Sequence, residues 1–300
     1  MNLAVLLEAK RSLGYAISVC LPARNEAPTI GGIVEKVREH LVDSPAGRGG
    51  GLVDEIVVVD DGSTDATAAV ARAAGATVVA EATVLPEAGP GSGKGNALWK
   101  SLHATRGDLV CWLDADLRNF DADTVVELVG PLLADPGTVL VKASYVRSFE
   151  GAPTGGGRVT ELVARPLVSL LFPKLADITQ PLGGEYAARR DALEVLPFIE
   201  GWGVELGLLI DVVDRFGRDA VAQVDLGTRE HRNRPVDQLA AQSLAIIATA
   251  LRRADLMRFD GPTLELLRYD IAGELETEQV EIRERPPITT IDAYRSLHSR

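Results

Sequence analysis

Apolar positions along this chain follow two alternating rhythms. Short, nearly continuous apolar runs occupy Ala16–Leu21, Glu55–Asp60, Val78–Ala80 and Leu109–Leu113, the pattern of strands buried on both faces. Between them the spacing changes to three and four residues, as in Ile30, Ile33, Val34, Val37 and Leu41, which predicts helices packed on those strands. Further helices are expected from Ser63-Thr64-Asp65, whose side chains offer N-caps, through Ala74, from near Asn96, and over Asp121–Leu133. Strands alternating with helices predict an α/β fold with a mainly parallel central sheet flanked by helices.

The second half is less regular. Thr138–Val146 reads as a strand, Val159–Leu171 as a helix after three glycines, and Leu182–Ala188 as a returning strand. Val204–Phe216 places Leu206, Leu209, Ile210 and Val213 on one helical face. Ala220–Leu226 predicts a strand and Asp237–Arg252 a helix, while residues after Asp260 give mixed signals that suit a tail or an oligomer contact. The division expected is 1–150, 151–255 and 256–300, with no internal repeat.

Composition narrows the function classes. With 300 residues, 46% hydrophobic and 25% charged, the chain is long enough for one sizeable α/β domain with additions. A net charge of −12 argues against general nucleic-acid binding, which needs a clustered basic surface. No apolar run approaches the roughly 20 residues of a membrane span, and the N-terminal run is broken by Glu8; a cytoplasmic protein without membrane insertion is expected. Cys20 and Cys111 lie in strand-like runs, where a thiol acts as a small hydrophobe.

Four polar segments stand at predicted strand ends, where open α/β sheets bind ligands. Asp114-Ala115-Asp116 offers hard oxygen ligands for a divalent cation, although alone it is more simply a helix-capping turn. Pro22-Ala23-Arg24-Asn25-Glu26 and Asp60-Asp61-Gly62 carry groups suited to a nucleobase edge and ribose hydroxyls, or to polar turns. Gly91-Ser92-Gly93-Lys94-Gly95-Asn96 fails the P-loop pattern because Gly95 follows Lys94. It still combines small residues, a cation and a helix N-terminus, a combination that suits an anion.

Together these segments resemble the nucleotide-binding half of a GT-A glycosyltransferase. Gly155 to Leu162, Gln180 to Tyr186, Gly203 to Asp211 and Arg229 to Pro235 are similar to the glucosyl-3-phosphoglycerate synthases, which are related to the mannosyl-3-phosphoglycerate synthases. The likeness runs from about Ala16 to Arg253. It implies a GT-A fold with a C-terminal acceptor-binding part, and a metal-dependent, retaining transfer of glucose from UDP-glucose to the 2-hydroxyl of 3-phosphoglycerate. It also implies a homodimer, and a product destined for compatible solutes or methylglucose lipopolysaccharide.

Carried over by position, Pro22, Ala23, Asn25, Glu26, Asp60, Asp61 and Gly62 hold the uridine, and Asp114 and Ala115 lie near the ribose or the metal. Asp116 and His231 ligate Mg²⁺ or Mn²⁺. Lys94 meets the donor, and Glu205 the sugar hydroxyls. Gly157, Arg158, Val159, Thr160, Arg229 and Asn233 hold the acceptor, with Gly184 and Trp202 completing the substrate site. Arg suits an acceptor bearing phosphate and carboxylate because it binds either bidentately. Two departures bear on sugar preference: Trp202 replaces a common Tyr, and Gly183 a frequent Ser. The alternatives are GDP-mannose as donor, a sugar nucleotidyltransferase, and a nucleotide-sensing module without catalysis.

Overall fold

The structure, a computed structural model, describes residues 2–43, 50–147, 157–229, 239–269 and 273–298. The strands are β1 Ile17–Ala23, β2 Glu55–Asp60, β3 Thr77–Ala80, β4 Leu109–Trp112, β5 Leu140–Arg147, β6 Tyr186–Arg189, β7 Phe198–Ile199, β8 Val221–Arg229, β9 Thr263–Tyr269, β10 Leu275–Glu281 and β11 Glu284–Arg285. The helices are α1 Leu3–Leu13, α2 Ala27–Val37, α3 Thr67–Ala74, α4 Gly93–Ala104, α5 Asp123–Ala134, α6 Arg165–Leu171, α7 Arg190–Leu193, α8 Val204–Phe216, α9 Leu239–Arg253 and α10 Asp292–His298.

Seven strands form one sheet in the order β3-β2-β1-β4-β6-β5-β8. The sheet is parallel throughout except for β6, which runs antiparallel to both β4 and β5. Alternation along each strand divides the core between its faces. Val19, Leu21, Val58 and Cys111 pack on one face with α1, α2 and α5. Cys20, Val57, Val110 and Trp112 pack on the other with α4, α8, α9 and α10. The Trp112 ring meets Tyr186 edge-on with centroids 5.1 Å apart, and its indole N–H donates to Ser101 Oγ at 2.9 Å. That bond removes the cost of burying the donor.

The predicted elements are present, with instructive shifts at their ends. β1 runs through Pro22 to Ala23 instead of stopping at Leu21. Its ladder to β4 ends at Cys20, while β2 accompanies it to Ala23; beyond Cys20 it is bonded on one side only, which tolerates a residue with no N–H. α4 starts at Gly93, inside the glycine-rich segment. The strand expected over Leu182–Ala188 begins only at Tyr186, because the preceding glycines turn under the site described below. The chain after Asp260 forms the β9–β10 hairpin, then a strap in which β11 pairs with β7. Trp99 Nε1 donates to Pro286 O at 2.8 Å and ties that strap to α4.

Candidate active site

β1, β2 and β4 are parallel neighbours, so their carboxyl ends emerge along one rim. A cavity of about 610 Å³ opens there, within the range of small-ligand sites. Its walls include Pro22 to Glu26, Asp61, Lys94, Asp114 to Asp116, Gly157 to Thr160, Trp202 and Glu205.

Tight side-chain ties shape the first wall. Asn25 adopts a left-handed conformation, φ 58°, which asparagine tolerates better than most residues. Its N–H donates to Ser63 Oγ at 3.0 Å and its Oδ1 accepts from Thr64 N at 2.8 Å. Glu26 N donates to Thr67 Oγ1 at 2.8 Å, and Thr29 Oγ1 to Ala115 O at 2.6 Å. The Asn25 side chain therefore holds two strand-end loops together, a part the sequence did not disclose. Asp61 sits 3.8 Å from the Arg24 guanidinium; burial pushes its carboxyl above the ordinary range, partly opposed by Arg24.

At the centre, Lys94 Nζ lies 2.5 Å from Asp114 Oδ1 and 2.8 Å from Glu205 Oε1. Burial alone would depress the amine, but Asp114 and Glu205, with Tyr186 behind them, together hold it well above its usual value. Gly184 forms the floor: a Cβ there would overlap both Asp114 Oδ1 and Lys94 Nζ. Hence a side chain at this point would have to push the Lys94–Asp114 pair aside.

Most predicted site residues converge here. Asp60 and Gly62 are not among the lining residues, and Gly184 lies beneath the wall rather than on it. Arg229 ends β8. His231 and Asn233 lie outside the described residues, as do Gly155 and Gly156. Of the two departures, Trp202 lines the cavity and Gly183 does not; a Cβ at Gly183 would lie 3.3 Å from the Tyr145 hydroxyl. Sequence reasoning missed Arg24, Gly93, Ala97, Leu182, Gly201, Leu239 and Gln242 on the walls. Arg24, Gly93 and Leu182 lie inside the quoted motifs without a role of their own, and Gly201 adjoins one; Leu239 and Gln242, on the first turn of α9, carried no signal beyond helical periodicity.

Among the described residues no three His, Cys, Asp or Glu side chains cluster as a complete metal site. Asp116 fits a hard divalent cation nonetheless, since its carboxylate stands on the cavity wall and such ions accept oxygens from a bound phosphate. Asp114 is engaged with Lys94.

A rim of parallel strand ends, an acidic turn and a lysine-centred carboxylate pair define a nucleotide-sugar transferase of the GT-A class. The glycosyl transferase family 2 model matches residues 18–195. Glucosyl-3-phosphoglycerate synthase of Mycolicibacterium smegmatis is 47% identical over 292 residues, covering 95% of this chain and 92% of that protein. The Petrotoga mobilis enzyme of the same name is 41% identical over 310 residues, covering 100% and 94%. The chain belongs to the glucosyl-3-phosphoglycerate synthases within glycosyl transferase family 2. The Mycobacterium tuberculosis synthase in complex with Mn²⁺, UDP-glucose and phosphoglyceric acid matches with a TM-score of 0.85 and 47% identity, covering 97% of this chain and 95% of that one.

Proposed function

We infer that this chain transfers glucose from UDP-glucose to the 2-hydroxyl of 3-phosphoglycerate, with retention at the anomeric carbon. The observation that carries the reading is the Lys94–Asp114–Glu205 array, set between the strand-end loops and the Gly157–Thr160 wall in one cavity. The first wall suits uridine, the array the donor sugar and diphosphate, and Arg158 with Thr160 an anionic acceptor. Arg229 and Asn233 belong to the same acceptor set by resemblance. Relatives with this name, and a solved relative holding both substrates, support the assignment.

Asp116, with His231, would hold Mg²⁺ or Mn²⁺, the ions present in solved relatives. When bound, such an ion neutralises charge on the leaving diphosphate. Lys94 adds a fixed cation aimed into the cavity, an electrostatic contribution already organised before reaction. Glu205, buried and held by Lys94, orients sugar hydroxyls by accepting their hydrogen bonds. Glu26 and Asp61, both on the cavity wall, would accept hydrogen bonds from ribose or uracil donors. Same-face attack by the acceptor hydroxyl, its proton passing to the departing phosphate oxygen, requires no side-chain base.

We assign the chain to the cytoplasm and to a homodimer. Leu267, Tyr269 and Leu275, exposed on the β9–β10 hairpin, support the dimer, and light scattering tests it. The function is tested by incubating protein, Mg²⁺ and 3-phosphoglycerate with UDP-glucose or GDP-mannose and identifying the product by mass. A hexosyl phosphoglycerate formed only from GDP-mannose overturns the donor assignment, and formation of neither product overturns the activity.

A further inference from the structure

We propose that Arg285, on the C-terminal strap, is a positioning residue for the transfer: one buried guanidinium fastens the loop that presents Lys94 to the turn that carries Trp202. The inference rests on the transferase reading above.

The loop before Lys94 is irregular from Gly89 to Ser92, so its carbonyls find few partners within itself. The strap supplies them. Arg285 Nη1 donates to Ala88 O at 2.7 Å and Nη2 to Gly89 O at 3.2 Å, and Arg283 Nη1 donates to Pro90 O at 2.7 Å. Arg285 Nε donates to Asn96 Oδ1, 2.8 Å away in the first turn of α4. Both ends of the segment bearing Lys94 are thus bonded to one side chain that is only 5% exposed. A Cβ at Gly91 would overlap the Arg285 guanidinium, so the loop lies directly against it.

The same guanidinium reaches the residue that precedes the Gly201-Trp202 turn. Arg285 Nε stands 2.6 Å from Glu200 Oε1, and Glu200 is fully buried. The other carboxylate oxygen of Glu200 accepts from Ser92 N at 3.2 Å. Glu200 immediately precedes Gly201 and Trp202, which line the cavity, and a Cβ at Gly93 would lie 3.0 Å from Gly201 Cα. The guanidinium packs over Trp99, 5.2 Å from its ring centre, which fixes its plane. A buried ion pair by itself is weak evidence for stability. What distinguishes this one is its partners: two backbone carbonyls and the Asn96 amide oxygen on either side of Lys94, and the Glu200 carboxylate next to Gly201 and Trp202. Arginine suits the task because its planar fork serves several acceptors at once, whereas lysine is a point charge.

The test compares wild type, Arg285→Met, Arg285→Lys, Lys94→Met and the Arg285→Met/Lys94→Met double variant. Arg285→Met is expected to lower kcat at least about tenfold, since small misplacements of catalytic groups are costly, while KM for 3-phosphoglycerate moves less than about twofold. Amide exchange at residues 88–95 accelerates while exchange in α5 stays at the wild-type rate, and Arg285→Lys recovers only part of both effects. In the Lys94→Met background, Arg285→Met costs little more, because coupled residues are not additive. If Arg285→Met does not fold, Arg285→Lys carries the same readouts. Unchanged kcat and loop exchange, or losses that multiply in the double variant, overturn the proposal. Absence of wild-type turnover rejects the transferase reading instead, and the exchange rates at 88–95 still decide the positioning.

Discussion

The ammonium of Lys94 joins Asp114 to Glu205, at 2.5 Å and 2.8 Å, and thereby ties the end of β4 to the first turn of α8. Two carboxylates that would repel each other share one cation, whose pKa they hold well above its ordinary value against the effect of burial. The sign follows: stability from a raised lysine is fully present below its unfolded value and is lost only as pH rises through the higher folded one. Lys94 therefore remains charged throughout the neutral range.

Lys94→Met removes that cation and leaves both carboxylates crowded. We expect kcat to fall by about 10²- to 10³-fold, the scale of losing a preorganised electrostatic group. A stability loss of roughly 3 kcal/mol should accompany it, as when one partner of a buried pair is deleted. Steady-state kinetics and urea unfolding check both effects.

Gly184→Ala tests the floor of the site. The added methyl would overlap Asp114 and Lys94, so the pair must separate. Destabilisation of about 1–3 kcal/mol is expected from overpacking, with kcat reduced more than KM for 3-phosphoglycerate. An alanine variant with wild-type kcat would show that the pair need not stay closed.

Chelation should stop the transfer, and added Mg²⁺ or Mn²⁺ should restore it. Asp116→Asn, which weakens the proposed hard oxygen ligand, should raise the metal concentration giving half-maximal rate by about tenfold or more. UDP binding followed by calorimetry with and without metal provides a readout independent of turnover.

The two departures from common family residues separate by position. Trp202 lines the cavity whereas Gly183 is buried and does not line it. Trp202→Tyr should shift the kcat/KM ratio between UDP-glucose and GDP-mannose, and Gly183→Ser should leave that ratio within about twofold, a change below 1 kcal/mol.

Burial pushes the Cys20 thiol up to about 12 and raises Cys111 as well. At pH 8 the thiolate fraction of Cys20 is then about 10⁻⁴, so native protein should be inert to thiol reagents and react at both positions after unfolding. The folded state holds these protons more tightly than the unfolded chain. Unfolding free energy should therefore decline as pH rises from about 9 towards 12, which denaturation at several pH values would reveal.

Much of the architecture was legible because continuous apolar runs and helical spacing are local signals. Glu55–Asp60 and Val204–Phe216 match their predicted limits. What local pattern could not show was pairing on one side of a strand only, which lets β1 continue through Pro22. The strand-end motifs outlined the cavity walls, but not the bond that Thr64 N donates to Asn25 Oδ1 or the Lys94 bridge. Arg285 meets Asn96 across 189 positions of sequence, and no periodicity reports a contact of that span.

The inverted strand β6 has a consequence for how this scaffold can change. β5 leaves the sheet at the cavity rim, and the antiparallel β6 enters it from that same rim. The connection from β5 to β6 therefore begins and ends at the cavity, and its described part, from Gly157 on, carries Arg158, Thr160 and Gly184. Such a connection can change at its exposed positions without displacing a strand, while Val168, Leu175 and Ile178 anchor it in the core. The Gly157–Thr160 side of the cavity is thus freer to diverge than the Pro22–Glu26 side, which is built on neighbouring parallel strand exits.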